Sequence, residues 1–584
     1  MAEEEKKEQK APTSIIAAEE LAKEFREHSV AEFFKKNKQM LGLSGKIKTL
    51  TTIVHEYCSN SLDACEEAKI LPEIEVKLTE LGDEYYEVYV KDNGPGLTRD
   101  TIGKALGQLL AGTKFHRLIQ QRGQQGIGAA GVTMLSQTTT GKPVKVITGT
   151  GKGKTISCEI AVEPKKNEAK IMNLEELDRS FRGLAIKAMF KDVKYQRSDQ
   201  GAMEYLRRTA IANPHAKITF TEPTGETVVF ERSSKVIPAR PIAISPHPKG
   251  VSVDEAITMA KHTQARKLSS FLKTEFDRMG DKAVEEIAKE TQLDMNLDPK
   301  KLEWEQVERI VKQFKKMTFI APRLDGLRAI GEERIKVSIK SIVEPELLEV
   351  VTRKPAVYHG GFPFQVEVGV AFGGNAGKAM GKDEEGNSVK KMELMRFANR
   401  VPLLFDSGGC ALTKAVQSID WKRYGIKDLD NAPLTLFVHL LSVHIPYTGA
   451  GKQAVSDEDE IIEELRLALM DAGRKIYRFI GHRRREAEKQ EKRKLYYKYA
   501  TEIALAVAKL TGHKKDDVEK KLHAIVLKHL KLEEKKDAAE AEKMDNISEE
   551  EIEKNYKKRL EKEKKEEKKG KKKKTVKAAG GEGE

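Results

Sequence analysis

Apolar side chains at Ile53, Val54, Tyr57, Leu62 and Ala64 recur at helical spacing and predict a helix with one face against a core. The same spacing gathers Glu56, Asn60 and Asp63 at i, i+4 and i+7, a polar stripe along the edge of that face. Residues 85–90, YYEVYV, form a short aromatic and β-branched run that predicts a strand, ending in the tight turn DNGPGL at 92–97. The segments VKVITG, TISCEIAV, GLAIKAMF, AKITFTE and ETVVFE predict further strands up to about residue 235, with a helix over 199–213 that stops near Asn213 and Pro214. Helices and strands in this order predict an α/β sandwich.

The pattern changes at residue 236. Three helical runs, DEAITMAKHTQARKLSSFLKTEF, DKAVEEIAKETQL and KLEWEQVERIVKQFKKM, predict a helical module inserted over 236–325. From 326 to 488, IKVSIK, QVEVGVAF and LTLFVHLLSVHIP predict strands alternating again with helices, and a long helix begins after SDEDE at 456–460. The last stretch, 489–584, reads as a charged helical extension. Its segment 499–531 keeps an apolar periodicity suited to docking on a partner, and residues 557–584 have the composition of a disordered tail.

With 584 residues and 39 % hydrophobic content, the chain is large enough for a multidomain α/β protein with several cores. The net charge is +14, yet residues 532–584 hold 17 basic against 16 acidic side chains, so the excess lies elsewhere. Part of it is the run from His482 to Lys498, which suits either a polyanionic partner or a solvated helix face. No run of eighteen apolar residues predicts a membrane span, and the N-terminus lacks a signal-peptide pattern. Cys58, Cys65, Cys158 and Cys410 have neither metal-ligand nor disulfide spacing, so buried free thiols in a reducing cytoplasm are expected.

Glycine-rich GQQGIGAAG at 123–131 precedes apolar residues that can open a helix, an arrangement that cradles phosphates with backbone N–H groups. TGTGKGKT at 148–155 nearly spells another phosphate loop, but Thr148 stands at its first glycine position and strand-like runs flank it, so a hairpin turn is predicted. Asp428-Leu429-Asp430 has the triplet of a metal site but sits between WKRYGIK and a strand, and it reads as a loop feature.

The polar helix, the DNGPG turn after a strand and the G-x-x-G-x-G loop, in this order, resemble the ATP-binding domain of the gyrase, heat-shock chaperone, histidine kinase and mismatch-repair superfamily, the GHKL or Bergerat fold. Within it the chain resembles the B-subunit family of type IIB topoisomerases, topoisomerase VI. The segments that carry the narrower likeness are AEFFKKNKQ at 31–39, GTKFH at 112–116, KYQRSDQG at 194–201, FQVEVGVAFGG at 364–374, RFANRVPLLFD at 396–406 and WKRY at 421–424. They run across most of the chain up to about 480. The resemblance implies an N-terminal strap over 1–30, a GHKL ATPase domain over 31–235, a helix-two-turns-helix domain over 236–325 and a transducer domain over 326–488.

The resemblance also implies roles. Glu56 is the expected general base, Asn60 the Mg²⁺ ligand, Asp63 a partner of nearby site groups, and Asp92 the acceptor for the adenine amino group. Gly94 and Gly96 let the ring approach; Gln125, Gly126, Ile127 and Gly128 form a lid over the phosphates; Thr113, Lys114, Gly123 and Gln124 are further expected ATP-binding residues. Lys452, in YTGAGKQAV, is the expected switch lysine that reaches the γ-phosphate from the transducer. Leu184 departs from the family, where a Thr follows Gly183.

Trp421, Lys422, Arg423 and Tyr424 are expected DNA contacts, and Lys249, Lys261, Arg266 and Lys267 offer further basic positions on a module that otherwise serves as a spacer. ATP and Mg²⁺ are the implied cofactors. The implied partners are double-stranded DNA, a second copy on ATP binding, and a DNA-cleaving topoisomerase VI A subunit in an A2B2 assembly. The implied function is an ATP-driven clamp that passes one duplex through another, in an archaeal, nucleoid-associated enzyme. A chaperone or mismatch-repair clamp of the same superfamily, or a non-hydrolysing DNA scaffold, is the alternative.

Overall fold

The computed structural model describes residues 43–110, 118–123, 126–382, 388–449, 451–512 and 514–528, with a few further positions up to 558. Residues 1–30 and 31–39, Thr113, Lys114, Gln124, Gln125 and nearly all of 557–584 lie outside the described residues.

Helix α1 (Lys46–Glu67) leads into β1 (Glu73–Gly82) and β2 (Tyr85–Asp92), followed by α2 (Arg99–Gly107) and α3 (Gly128–Thr140). Strands β3 (Val144–Thr150), β4 (Thr155–Glu163), β5 (Glu168–Leu177) and β6 (Arg182–Lys191), helix α4 (Ala202–Ala212), and strands β7 (Lys217–Thr221) and β8 (Thr227–Phe230) complete an eight-stranded sheet of order β5-β4-β3-β6-β2-β1-β7-β8. Alternation decides its two faces. In β2, Tyr86, Val88 and Val90 point into the core beneath the helices, and the same period puts Asp92 there too. TGTGKGKT is a hairpin turn, as predicted: β3 and β4 pair antiparallel on either side of it.

The next helices are α5 (Val253–His262), α6 (Leu268–Glu275), α7 (Asp281–Thr291) and α8 (Trp304–Lys316) around their own core of Phe271, Phe276, Phe314 and aliphatic neighbours. The first helical run is thus two helices, not one. Thr263 breaks it: its hydroxyl accepts the Ala265 N–H (3.1 Å) and donates to Glu275 (2.7 Å), a local turn that competes with helix continuation.

Helix α9 (Glu332–Val343) precedes β9 (Leu347–Thr352), β10 (Ala356–Tyr358), β11 (Phe362–Phe372), the small β12 (Lys378–Lys382) and β13 (Ser388–Lys391) ribbon, β14 (Glu393–Ala398) and β15 (Val401–Pro402). Helix α10 (Ala411–Gln417), β16 (Leu434–Ser442) and the long α11 (Asp459–Thr511) follow. IKVSIK, predicted as a strand, lies inside α9. Ile335, Ile339 and Val343 are buried a turn apart while Val337 is 49 % exposed, so the helical period wins over the alternating one. All nine residues of β16 are buried, because α9 covers one face of this second sheet and α10 with α11 the other. Strands β14 and β16 pair in parallel across α10.

The two sheet bodies are joined through α4. Arg207 donates to Glu393 (2.9 Å), Arg208 to the Leu394 carbonyl (3.3 Å), and Ser338 to the Ile211 carbonyl (2.9 Å). Among the described residues no helix is long and apolar enough to cross a membrane. All four cysteines are free and buried, and burial pushes the thiols of Cys58, Cys65 and Cys158 up.

Candidate nucleotide site

Asp92 forms the floor of the site. Ser61 Oγ donates to its Oδ2 (2.7 Å), and the N–H groups of Gly94 (2.9 Å) and Leu184 (3.1 Å) donate to its Oδ1. Burial raises its pKa, and these three donors work against that rise. Leu184 therefore contributes through its backbone. Its cross-strand neighbour Thr148 holds the adjoining turn, accepting the Leu97 N–H (2.7 Å) and donating to the Gly183 carbonyl (3.2 Å). Gly96 has a packing reason of its own: at φ +72°, an added Cβ would sit 2.2 Å from the Gly149 carbonyl. At Gly94 a Cβ would stand 3.0 Å from Asp92 Oδ1.

Glu56 and Asn60 line the wall on α1. Asn60 is exposed, and Glu56 is 22 % exposed at its side chain, with His55 Nε2 3.7 Å away. Gly128, the first residue of α3, is set so close that a Cβ would lie 1.8 Å from Glu56 Oε2. The helix that follows the glycine loop thus points its N-terminus, with its unpaired N–H groups, at the Glu56 carboxylate. Gly126 takes φ +60° and its carbonyl accepts the Leu110 N–H (3.1 Å); Ile127 caps α3 and accepts the Gly131 N–H (2.8 Å).

Asp63 faces a different environment. Arg122 donates to Asp63 (2.6 Å), to both oxygens of Glu66 (2.6 and 3.2 Å) and to Asn213. His215 Nε2 lies 2.8 Å from Glu66 Oε1, and Arg400 Nη1 lies 3.8 Å from Glu66 Oε2. Burial would raise the Glu66 pKa, but Arg122, His215 and Arg400 outweigh it and hold the carboxyl well below the usual range. Sequence reasoning missed Arg122, Glu66, His215, Asn213 and Arg400. The one signal was a charged residue directly before Gly123, opposite a helix end carrying Asp63, Glu66 and Glu67.

Lys452, at φ +52°, comes from the second body. Its Nζ is 3.5 Å from the Arg122 carbonyl at the root of the glycine loop, and it lines a small cavity with Thr51, Thr52, His55 and Tyr205. Burial lowers the His55 pKa; Glu56 opposes and Lys452 reinforces that shift, which places both charges near one imidazole.

The WKRY segment corrects an expectation. Trp421 and Tyr424 are buried in the core of the second body, the indole N–H donating to the Val416 carbonyl (3.0 Å) and the Tyr424 ring packed against Gly473 of α11. Their apolar rings are spent on packing, so neither is a surface contact for DNA. Lys422 is exposed, and Arg423 sits 5.9 Å over the Tyr424 ring. Lys261, Arg266 and Lys267 are exposed on the four-helix module, while Lys249 is half-buried. Asp428 accepts from the Asp430 N–H (3.1 Å) and the Asn431 side chain (2.8 Å), closing a loop turn as predicted. No metal-holding cluster of His, Cys, Asp and Glu occurs among the described residues.

A helix carrying Glu56 and Asn60, a buried aspartate after a strand and a glycine loop opening a helix define an ATPase of the GHKL class. The family of histidine kinase-, DNA gyrase B- and HSP90-like ATPases matches residues 45–164, and the transducer of the topoisomerase VI B subunit matches residues 322–493. The chain is 46 % identical over 504 residues to the B subunit of type 2 DNA topoisomerase 6 from Methanothermobacter thermautotrophicus, covering 86 % of this chain and 95 % of that protein. It is 45 % identical over 567 residues to the Pyrococcus abyssi protein of the same name, covering 89 % and 98 %. The chain belongs to the family of topoisomerase VI B subunits.

Proposed function

We propose that the chain is the ATP-hydrolysing B subunit of a type IIB topoisomerase, which acts with a DNA-cleaving A subunit in an A2B2 assembly to pass one duplex through another. The observation that carries the reading is the meeting of three parts at one point: Glu56 on α1, the N-terminus of α3 after the glycine loop, and Lys452 from the second body. A site whose far side comes from another body can report its nucleotide state to that body.

Asp92 fits adenine. A carboxylate has about four acceptor positions, and three are filled, leaving one on Oδ2 for an exocyclic amino group. Asn60 suits Mg²⁺, which keeps most of its waters and takes few protein oxygens; bound there, the ion supplies charge neutralisation across the phosphates. Glu56 orients water and accepts its proton, and the N–H groups at Gly126, Ile127 and Gly128 donate to the developing charge. Thr113, Lys114, Gly123, Gln124 and Gln125 are the remaining ATP-binding residues of this reading, and Lys452 contacts the γ-phosphate. Residues 1–30 reach the second copy when the clamp closes on duplex DNA. Lys422 and Arg423 remain the DNA-contacting members of WKRY.

Relaxation of supercoiled plasmid, measured with and without the A subunit of the same source, tests this. ATP-dependent relaxation is expected only with both subunits, and absence of phosphate release from the pair refutes the reading.

A further inference from the structure

Residues 118–122, which run directly into the glycine loop, are tied to three other parts of the chain. The Leu118 carbonyl accepts the Ile244 N–H (2.9 Å) from the segment that enters the four-helix module. Gln120, only 6 % exposed, pairs in both directions with the backbone of Arg328 on the segment that leaves the module. Its Nε2 donates to the Arg328 carbonyl (3.1 Å), and the Arg328 N–H donates to its Oε1 (2.6 Å). The Gln121 carbonyl accepts from Asn399 (3.1 Å) in the turn between β14 and β15, and Arg122 binds Asp63 and Glu66 on α1.

A buried carboxamide is costly unless its donors and acceptors are met, so Gln120 is held by this geometry and holds it in turn. Both connections of the four-helix module end on the same short segment. A displacement of residues 118–122 must therefore carry both connections along or break these bonds. The surroundings also leave room for a second arrangement. Arg122 and Arg400 line a cavity of ≈ 90 Å³ that also touches Pro238 and Pro241, and among the described residues neither Nε finds an acceptor. A network with spare donors and adjoining space can re-pair, which a saturated one cannot.

We propose that Gln120 is a positioning residue that transmits nucleotide binding at the N-terminus of α3 to the four-helix module. This rests on the reading of Glu56, Asp92 and the N-terminus of α3 as a nucleotide site. The full chain, with a slowly hydrolysed ATP analogue and Mg²⁺, is followed by hydrogen exchange in three variants and the wild type. In the wild type, nucleotide slows exchange roughly tenfold in α3, and also at 242–247 and 326–330.

Gln120→Met, which keeps the volume and removes the amide, retains the α3 response and loses the one at 326–330. Ile244→Pro, which deletes the N–H donated to Leu118, loses the response at 242–247. Asn399→Ala, which cuts the tie from Gln121 to the second sheet together with the two bonds between Asn399 and Ser442 inside that sheet, keeps both. A wild-type response confined to α3, or a Gln120→Met chain that responds like the wild type at 326–330, overturns the proposal. No response at α3 in the wild type overturns the nucleotide-site reading beneath it as well.

Discussion

Glu56 and Asp63 stand seven residues apart on one helix, and their surroundings divide that helix into two unlike ends. The Glu56 side chain is 22 % exposed, its nearest ion partner is a histidine at 3.7 Å, and it faces a helix N-terminus across a contact that only glycine permits. The Asp63 side chain is 9 % exposed and bound to a buried guanidinium that also holds Glu66. A group that must turn over water needs access and few competing partners. A group that fixes the loop root and the second body against the helix needs the opposite. The polar stripe is thus one feature in sequence and two in function.

That division is broken most sharply by exchanging its consequences. Glu56→Ala is expected to lower ATP turnover by roughly 10² to 10⁴ with nucleotide binding and melting temperature nearly unchanged. Single-turnover phosphate release beside an equilibrium nucleotide titration checks it; unchanged turnover removes the general-base role. Arg122→Ala should do the reverse first, leaving Asp63 and Glu66 as buried charges without their main partner. A loss of about 3–5 kcal/mol is expected, read as an earlier first transition in urea unfolding. A stability equal to the wild type would falsify the assignment of this end as structural.

Lys452→Ala sits between the two. Among the described residues its amine bonds at the edge of hydrogen-bond distance, 3.5 Å from the Arg122 carbonyl, so little stability is at stake. Nucleotide binding should survive while supercoil relaxation in the assembled enzyme falls by about tenfold or more. Relaxation at the wild-type rate rules out a coupling role for the lysine.

The sequence made one end of the helix far more legible than the other, for a physical reason. Glu56, Asn60, Asp92 and the glycine loop belong to short local patterns, with helix spacing, strand alternation and turn chemistry each visible within a few residues. The alternation of β2 even carries Asp92 to the buried face before any fold is known. The anchoring end is assembled from Arg122, Asn213, His215 and Arg400, which lie 56 or more positions from their partners in the cluster and follow no local period. The WKRY rings failed for a related reason. An aromatic and basic cluster reads alike whether the rings face solvent or a core, and only α11, running past Tyr424 at Gly473, decides between them. IKVSIK satisfied two periods at once, and the tertiary partner chose the helix.

The smallest expected effect tests the anchoring end through pH. Burial depresses the His215 pKa from its ordinary value of 6.5, although Glu66 at 2.8 Å pulls the other way. The unfolded chain therefore binds a proton here more readily than the folded one. The stability contributed by neutral His215 is present above the ordinary value and is lost as pH falls through it. Glu66 has the same sign in a lower window: its folded pKa is depressed, so its contribution is lost only as pH falls below the ordinary carboxylate value of 4.5. Melting temperature should drop in two stages on acidification. His215→Gln, which keeps a donor for Glu66 but does not titrate, should flatten the upper stage by the equivalent of roughly 1 kcal/mol. His55, His247 and His444, also depressed by burial, titrate with the same sign elsewhere and are left intact by this substitution. An upper stage of equal size in the variant assigns it to those histidines and removes His215 from the anchor's pH response.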